Sequence, residues 1–146
     1  MIPPVNIQHA PLDANALREA ALSPESGAVV LFEGIARNHG NGKPVLGLAF
    51  DAYEPMALAR LEELRREALE KFALRACFIH HRLGAVALGE AAVVVVCASP
   101  HRAEAFAAAA WLLDRLKESV PIWKRELYAD GGECWVEGAR AVGPVE

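Results

Sequence analysis

Several features are missing or scarce in this chain of 146 residues. No apolar run approaches the ~20 residues that a membrane-spanning helix needs; the longest lie around Ala91 to Ala98 and Ala105 to Leu113. The opening stretch MIPPVNIQHAPLD has neither the basic start nor the apolar core of a secretory signal, so the sequence predicts a soluble cytoplasmic protein. Basic charge is not in excess: 15 Lys and Arg stand against 19 Asp and Glu, a formal net charge of −4. That balance disfavours a broad grip on nucleic acid or an anionic membrane, and any anion site must be local. The three cysteines, Cys77, Cys97 and Cys134, form no C-x-x-C pair, and buried structural thiols are expected. No zinc pattern is present. His80 and His81 are neighbours on an expected strand, so they point to opposite faces and cannot jointly clasp a metal. Neither G-x-x-x-x-G-K-[ST] nor G-x-G-x-x-G follows a strand, so nucleotide folds of those kinds are not indicated.

What is present is a core. Hydrophobic residues make up 53% of the chain, enough for one domain over residues 1–146 and too little chain for two ordinary ones. LDANALREAAL reads as a short helix capped near Asp13, and GAVVLFEGIA, residues 27–36, as a buried strand carrying Val29, Val30, Leu31 and Phe32. RNHGNGKPVLG has loop composition, and LAFDAY resumes as a strand. Pro55 opens a helix in which Ala57, Leu61, Leu64, Ala68 and Phe72 recur with helical spacing, opposite a charged, solvated face. The strands LRACFIHHRL and AAVVVVCA follow, then a second helix, then IWKRELY, the turn DGGE and CWVE as a final hairpin. This order predicts an α+β fold: a mixed, mostly antiparallel sheet, two main helices and a C-terminal hairpin.

The chemistry concentrates in SPHRAEAFAAAAWLLDRLKESVPIWKRE, residues 99–126. Ser99 is a good N-cap and Pro100 a good first helical residue, which puts His101 and Arg102 in the first turn. Unpaired backbone N–H groups there already favour an anion. The pair reads either as a phosphate or carboxylate socket or as a surface turn whose Arg meets a nearby carboxylate. At 100° per residue, Phe106, Ala109, Leu113, Leu116 and Val120 define the expected buried stripe, with Lys117 roughly 60° from its centre. A lysine at such a border is either partly desolvated, and then a nucleophile or general base, or snorkelling with its ammonium in water. After the helix-ending Pro121, Trp123 and Arg125 face one way and Lys124 and Glu126 the other, so Lys124 turns towards Lys117.

Six segments in order then carry a resemblance: GAVVLFEGIARNH at 27–39, AYEPMA at 52–57, IHHRLGAVALGE at 79–90, SPHRAEAF at 99–106, LKESVPIWKRE at 116–126 and WVE at 135–137. Over nearly its full length the chain resembles the large, MoaE-type catalytic subunits of molybdopterin synthase. The resemblance implies an α/β-hammerhead type fold and a homodimer that binds a small ubiquitin-like, MoaD-type sulfur carrier on each chain, a heterotetramer in all. The carrier's C-terminal thiocarboxylate would deliver sulfur to cyclic pyranopterin monophosphate, building the dithiolene of molybdopterin, with no metal or redox cofactor needed for the transfer. It also implies a substrate site at Ile35, Ala36, Arg37, His101, Arg102, Lys117, Lys124, Arg125 and Glu126. In that assignment Arg37, His101 and Arg102 hold the phosphate, and Lys117, then Lys124, are the catalytic candidates. Arg140 stands near the place of a basic residue that family members carry behind the WVE motif, but in a shifted register, and is left out of the site. Two other classes share some of these features: a docking module for a ubiquitin-like partner, and an unrelated acyl or phosphoryl transferase.

Overall fold

In chain order the elements are β1 (Val5–Gln8), α1 (Ala14–Ala21), β2 (Ala28–Ile35), β3 (His39–Gly40), β4 (Lys43–Ala52), α2 (Glu54–Lys71) and β5 (Ala76–Arg82). They continue as β6 (Gly84–Ala87), β7 (Ala91–Ser99), α3 (Arg102–Ser119), β8 (Ile122–Tyr128), β9 (Glu133–Glu137) and β10 (Arg140–Ala141). The structure is a computed structural model and describes residues 1–40, 42–137 and 140–141.

The Val93–Val96 run organises the larger core. A strand buried on both faces has no polar side to alternate with, which is why β7 reads as continuous apolar sequence. Its neighbours β5 and β2 pair with it antiparallel, and β1 runs parallel to β5, giving a four-stranded sheet in the order β1-β5-β7-β2. One face is covered by α2 and α3, whose Leu61, Leu64, Leu112 and Leu116 pack on Ile79, Val95 and Cys97. The other is covered by α1 through Leu17 and Ala21 against Val94, Val96 and Ala98. Asp13 caps α1 by accepting from the Ala16 N–H at 3.0 Å. In α2 the buried residues are Ala57, Leu61, Leu64 and Ala68, the helical spacing expected, while Phe72 is half-buried against Trp111.

The second sheet is built on β4 and β8, which pair antiparallel. Beyond β8 lie β9 and β10 as a meander, and the other edge of β4 takes β3 near its start and β6 further along. Val45, Leu48, Phe50, Leu83, Val86, Tyr128 and Cys134 form its core. All three cysteines are buried, and Cys77 lies opposite Cys97 across β5 and β7.

Three expectations differ in detail. The strands divide into two sheets, because β4 and β8 pair with each other and not with β5, β7 or β2, and the short β6 joins them on β4. β2 is an edge strand and only half-buried, with Phe32 and Ile35 on the surface. The glycine-rich stretch after Arg37 contains the β3–β4 pairing, with Gly42 at φ +71°, a conformation that suits glycine. Among the described residues no helix is long and apolar enough to cross a membrane.

Candidate active site

The helix α3 begins later than Ser99 and Pro100 suggest. Ser99 stays in the β2–β7 ladder opposite Ala28, and its hydroxyl donates to the His101 carbonyl, so it is not free to cap. The N-cap is His101, in extended conformation and without a side-chain cap bond, and Arg102 is the first helical residue. Both side chains are exposed. The buried stripe is also rotated from the expected one: it runs through Ala105, Ala108, Ala109, Leu112 and Leu116, and Phe106 is 62% exposed. In this alanine-rich helix the small residues face the sheet, where close approach needs them, and the larger side chains flank that contact. Lys117 therefore lies off the core border and is exposed in the isolated chain. It continues a second row, Phe106, Ala110, Leu113 and Lys117, at helical spacing.

From Ala110 onwards that second row borders a cleft of about 470 Å³ between the two sheets. Ala110, Leu113, Asp114, Leu116 and Lys117 come from α3, Phe32, Gly34 and Ile35 from the end of β2, and Leu48, Phe50 and Lys124 from β4 and β8. A register shift between Gly34 and Ile35 re-aims the end of β2, and a Cβ at Gly34 would come within 2.7 Å of the Val93 side chain. Ile35 faces the cleft, Ala36 is buried, and Arg37 is exposed again. Ala36 is held at both ends, its N–H donating to the Glu90 carbonyl at 3.1 Å and its carbonyl accepting from Gly89 at 2.9 Å. Arg37 thus leaves from a fixed point.

Lys124 is the electrostatic centre. Burial holds its pKa below the ordinary lysine range; Glu126 opposes that shift, and the charges of Lys117 and Arg37 add to it. Three residues expected at the site, Glu126, Lys117 and Arg37, are therefore within electrostatic reach of Lys124. Glu126 is buried on the same face of β8 and accepts from the Tyr128 hydroxyl at 2.9 Å. Arg125 faces away: it pairs with Glu133 at 3.0 Å and lies over the Trp135 ring. His101 and Arg102 do not line the cleft. The side chain of Arg140 lies outside the described residues.

The MoaE protein family model matches residues 7–119. The chain belongs to the MoaE family. The molybdopterin synthase catalytic subunit of Pyrococcus abyssi is 41% identical over 144 residues, 97% of this chain and 96% of that protein. The crystal structure of molybdopterin synthase from Staphylococcus aureus superposes with a TM-score of 0.86 at 34% identity, covering 92% of this chain and 98% of that one. A complex of subunits 1 and 2 of the molybdopterin-converting factor from Helicobacter pylori superposes with a TM-score of 0.74 at 26% identity, over 88% and 87% of the two chains. This agrees with the mixed α+β architecture and the resemblance read from the sequence.

In this MoaE-family chain the cleft also contains residues that sequence reasoning did not place there. Asp114 lines it because the helix is rotated from the expected setting. His81, read from the sequence only as unable to share a metal with His80, lies at its floor beside Phe50. The local signal for His81 was a histidine in an apolar strand, which does not separate a core imidazole from one that faces a cavity. Among the described residues no cluster of His, Cys, Asp or Glu could hold a metal ion.

Proposed function

We propose that this chain is the catalytic subunit of a molybdopterin synthase, with residues 1–146 forming a single domain that works in the cytoplasm. It moves sulfur from the C-terminal thiocarboxylate of a small ubiquitin-like carrier to cyclic pyranopterin monophosphate and so forms the dithiolene of molybdopterin. The observation that carries this reading is the less basic Lys124, surrounded by Lys117, Arg37 and Glu126 at an apolar cleft of a MoaE-family chain.

The chemistry asks for these groups. The thiocarboxylate sulfur forms a bond to a carbon of the pterin side chain as the C–O bond there breaks, the oxygen leaving as water or with the phosphate; water then cleaves the acyl–sulfur link, leaving sulfur on the pterin and a carboxylate on the carrier. Both steps gather negative charge on oxygen, which fixed cations in a low-dielectric cleft stabilise. The depressed basicity of Lys124 enlarges its neutral fraction, so it suits proton transfer with the attacking water. The positive charge of Lys117, which also lines the cleft, supplies the field. This reverses the order of the two lysines that the sequence suggested. The apolar lining that includes Ile35 and Leu113 suits an extended carrier tail, and the exposed apolar side chains Phe32, Ile35 and Phe106 suit burial against other chains.

His101 and Arg102 complete the site from the second chain of a homodimer. Sixteen residues of straight helix separate His101 from Lys117, ~24 Å at 1.5 Å per residue, too far for one small substrate to touch both in one chain. Arg37, with the partner's pair, binds the phosphate; Ala36 and Ile35 shape the entrance, and Arg125 and Glu126 hold β8 and Lys124 in position. The test is direct: purified chain, thiocarboxylated carrier and pterin precursor are mixed and dithiolene formation is followed. Molybdopterin is the expected product; carrier binding without turnover would make the chain a docking module, and indifference to both would assign it to another transferase class.

A further inference from the structure

His81 takes part in none of these steps, yet it stands at the floor of the cleft. The side chain is almost fully buried, 4% exposed, and lines the cavity. The ladders fix its position: His81 lies opposite Val93, Val93 opposite Gly34, and Phe50 opposite Lys124. The imidazole meets Phe50 with ring centroids 5.0 Å apart and planes inclined by 71°. The two rings make a corner next to Lys124.

Hydrogen bonding sets the tautomer. Nδ1 lies 2.8 Å from the Arg82 carbonyl oxygen, which can only accept, so Nδ1 carries the proton. Burial pushes the pKa down to about 4, and the ring is neutral near pH 7. Nε2 is then a lone-pair acceptor, and it makes no hydrogen bond to any described residue. Among the described residues the fully buried side-chain atoms without a partner are Glu104 Oε1 and Arg125 Nε; Nε2 of His81 is not one of them and stays open to a donor that enters the cavity. The other polar side chains lining the cleft are charged: Asp114, Lys117 and Lys124. His81 offers the neutral acceptor, beside the Phe50 ring.

We propose that His81 is a specificity-determining residue: its Nε2 accepts a hydrogen bond from a ring N–H of the pterin, which lies flat in the corner formed with Phe50. The proposal rests on the substrate reading above. A flat, apolar-faced ring with N–H donors on its edge matches this corner, and a site built to receive such a donor rejects analogues that lack it far more strongly than an apolar pocket does.

The test compares His81→Phe, which keeps a ring against Phe50 and removes both nitrogens, with His81→Gln, whose amide oxygen reaches the place of Nε2. Pterin and carrier are varied separately in steady-state assays, and pterin binding is measured by calorimetry without carrier. His81→Phe is expected to raise the KM and Kd for pterin about tenfold. The saturated rate should stay within about twofold and the carrier KM should be unchanged, with His81→Gln recovering most of the loss. A higher carrier KM would assign Nε2 to the carrier tail; a lower saturated rate at unchanged KM would assign it to the chemistry; no change would make it a core residue. Each of these overturns the proposal. Failure of the unsubstituted protein to make molybdopterin overturns the functional reading instead, while the calorimetric comparison still decides the role of His81. If the Phe variant does not fold, nitrogen NMR of the unsubstituted protein decides: the unprotonated Nε2 resonance of His81 should move upfield on adding pterin, and an unmoved resonance rejects the contact.

Discussion

Lys117 and Lys124 enter one cleft from either side of Pro121, and the charge of the first adds to the burial that makes the second less basic. The chain reverses direction at the proline, where the Pro121 carbonyl accepts from the Tyr53 N–H at 3.1 Å. A short loop and one strand end thus set the separation of the two amines.

The first prediction concerns that coupling. Followed by NMR at its Nζ, Lys124 should titrate below an ordinary lysine, because burial disfavours the ammonium. Lys117→Gln removes a positive neighbour and should move the midpoint up; Arg37→Gln should do the same to a smaller extent, and Glu126→Gln should move it down. A midpoint indifferent to Lys117 would mean that the two amines do not share a site.

Lys117→Ala should remove sulfur transfer while leaving the fold intact. The side chain is exposed, so truncation opens no cavity, and unfolding in urea should shift by less than about 0.5 kcal/mol. Loss of a fixed charge at the reacting atoms should cost on the order of 10²–10³ in rate. A variant that turns over near the native rate takes Lys117 out of the mechanism.

Acid should destabilise the protein through His81. Unfolded, the imidazole takes up a proton near its ordinary value of 6.5; folded, burial delays this to about 4. Between those values the unfolded state holds more protons, so stability is full above about pH 6.5, falls as pH drops towards 4, and levels off below it. The loss amounts to about 3 kcal/mol, with burial of His80 acting in the same direction. In His81→Gln, urea unfolding between pH 7 and pH 4 should show a smaller fall; an equal fall would place the acid sensitivity elsewhere.

Much of this was legible in the residues, for unequal reasons. The α2 stripe from Ala57 to Ala68 could be read because large aliphatic side chains and charged ones alternate with the helix period. The same reasoning rotated α3 wrongly, because in a run of alanines the hydrophobic signal is flat and Phe106 dominates it, although that ring is on the surface. The alternation of β8 was visible, and with it the turn of Lys124 towards Lys117. That β6 joins the second sheet was not, since four residues between two strong strands carry no pairing preference of their own. The neighbourhood of His81 depends on Phe50 arriving from the other sheet, a contact between residues thirty-one positions apart that no local pattern encodes.

The last prediction follows from the two ends of α3. His101 and Arg102 flank its start and Lys117 belongs to its final turn, ~24 Å away along the axis, and only the second end borders the cleft. A two-fold axis brings the start of one helix near the end of another copy without bending either. Each homodimer then has two composite sites, with Lys117 and Lys124 from one chain and His101 and Arg102 from its partner. Co-expression of Lys117→Ala chains with His101→Ala/Arg102→Ala chains, each inactive alone, separates this arrangement from a single-chain site. In every mixed dimer of the composite kind, one site collects all the defects and the other is intact. Half of randomly paired dimers are mixed and half of their sites work, so about a quarter of native activity should return. If verified mixed dimers recover nothing, the basic start of α3 serves some other purpose than this cleft.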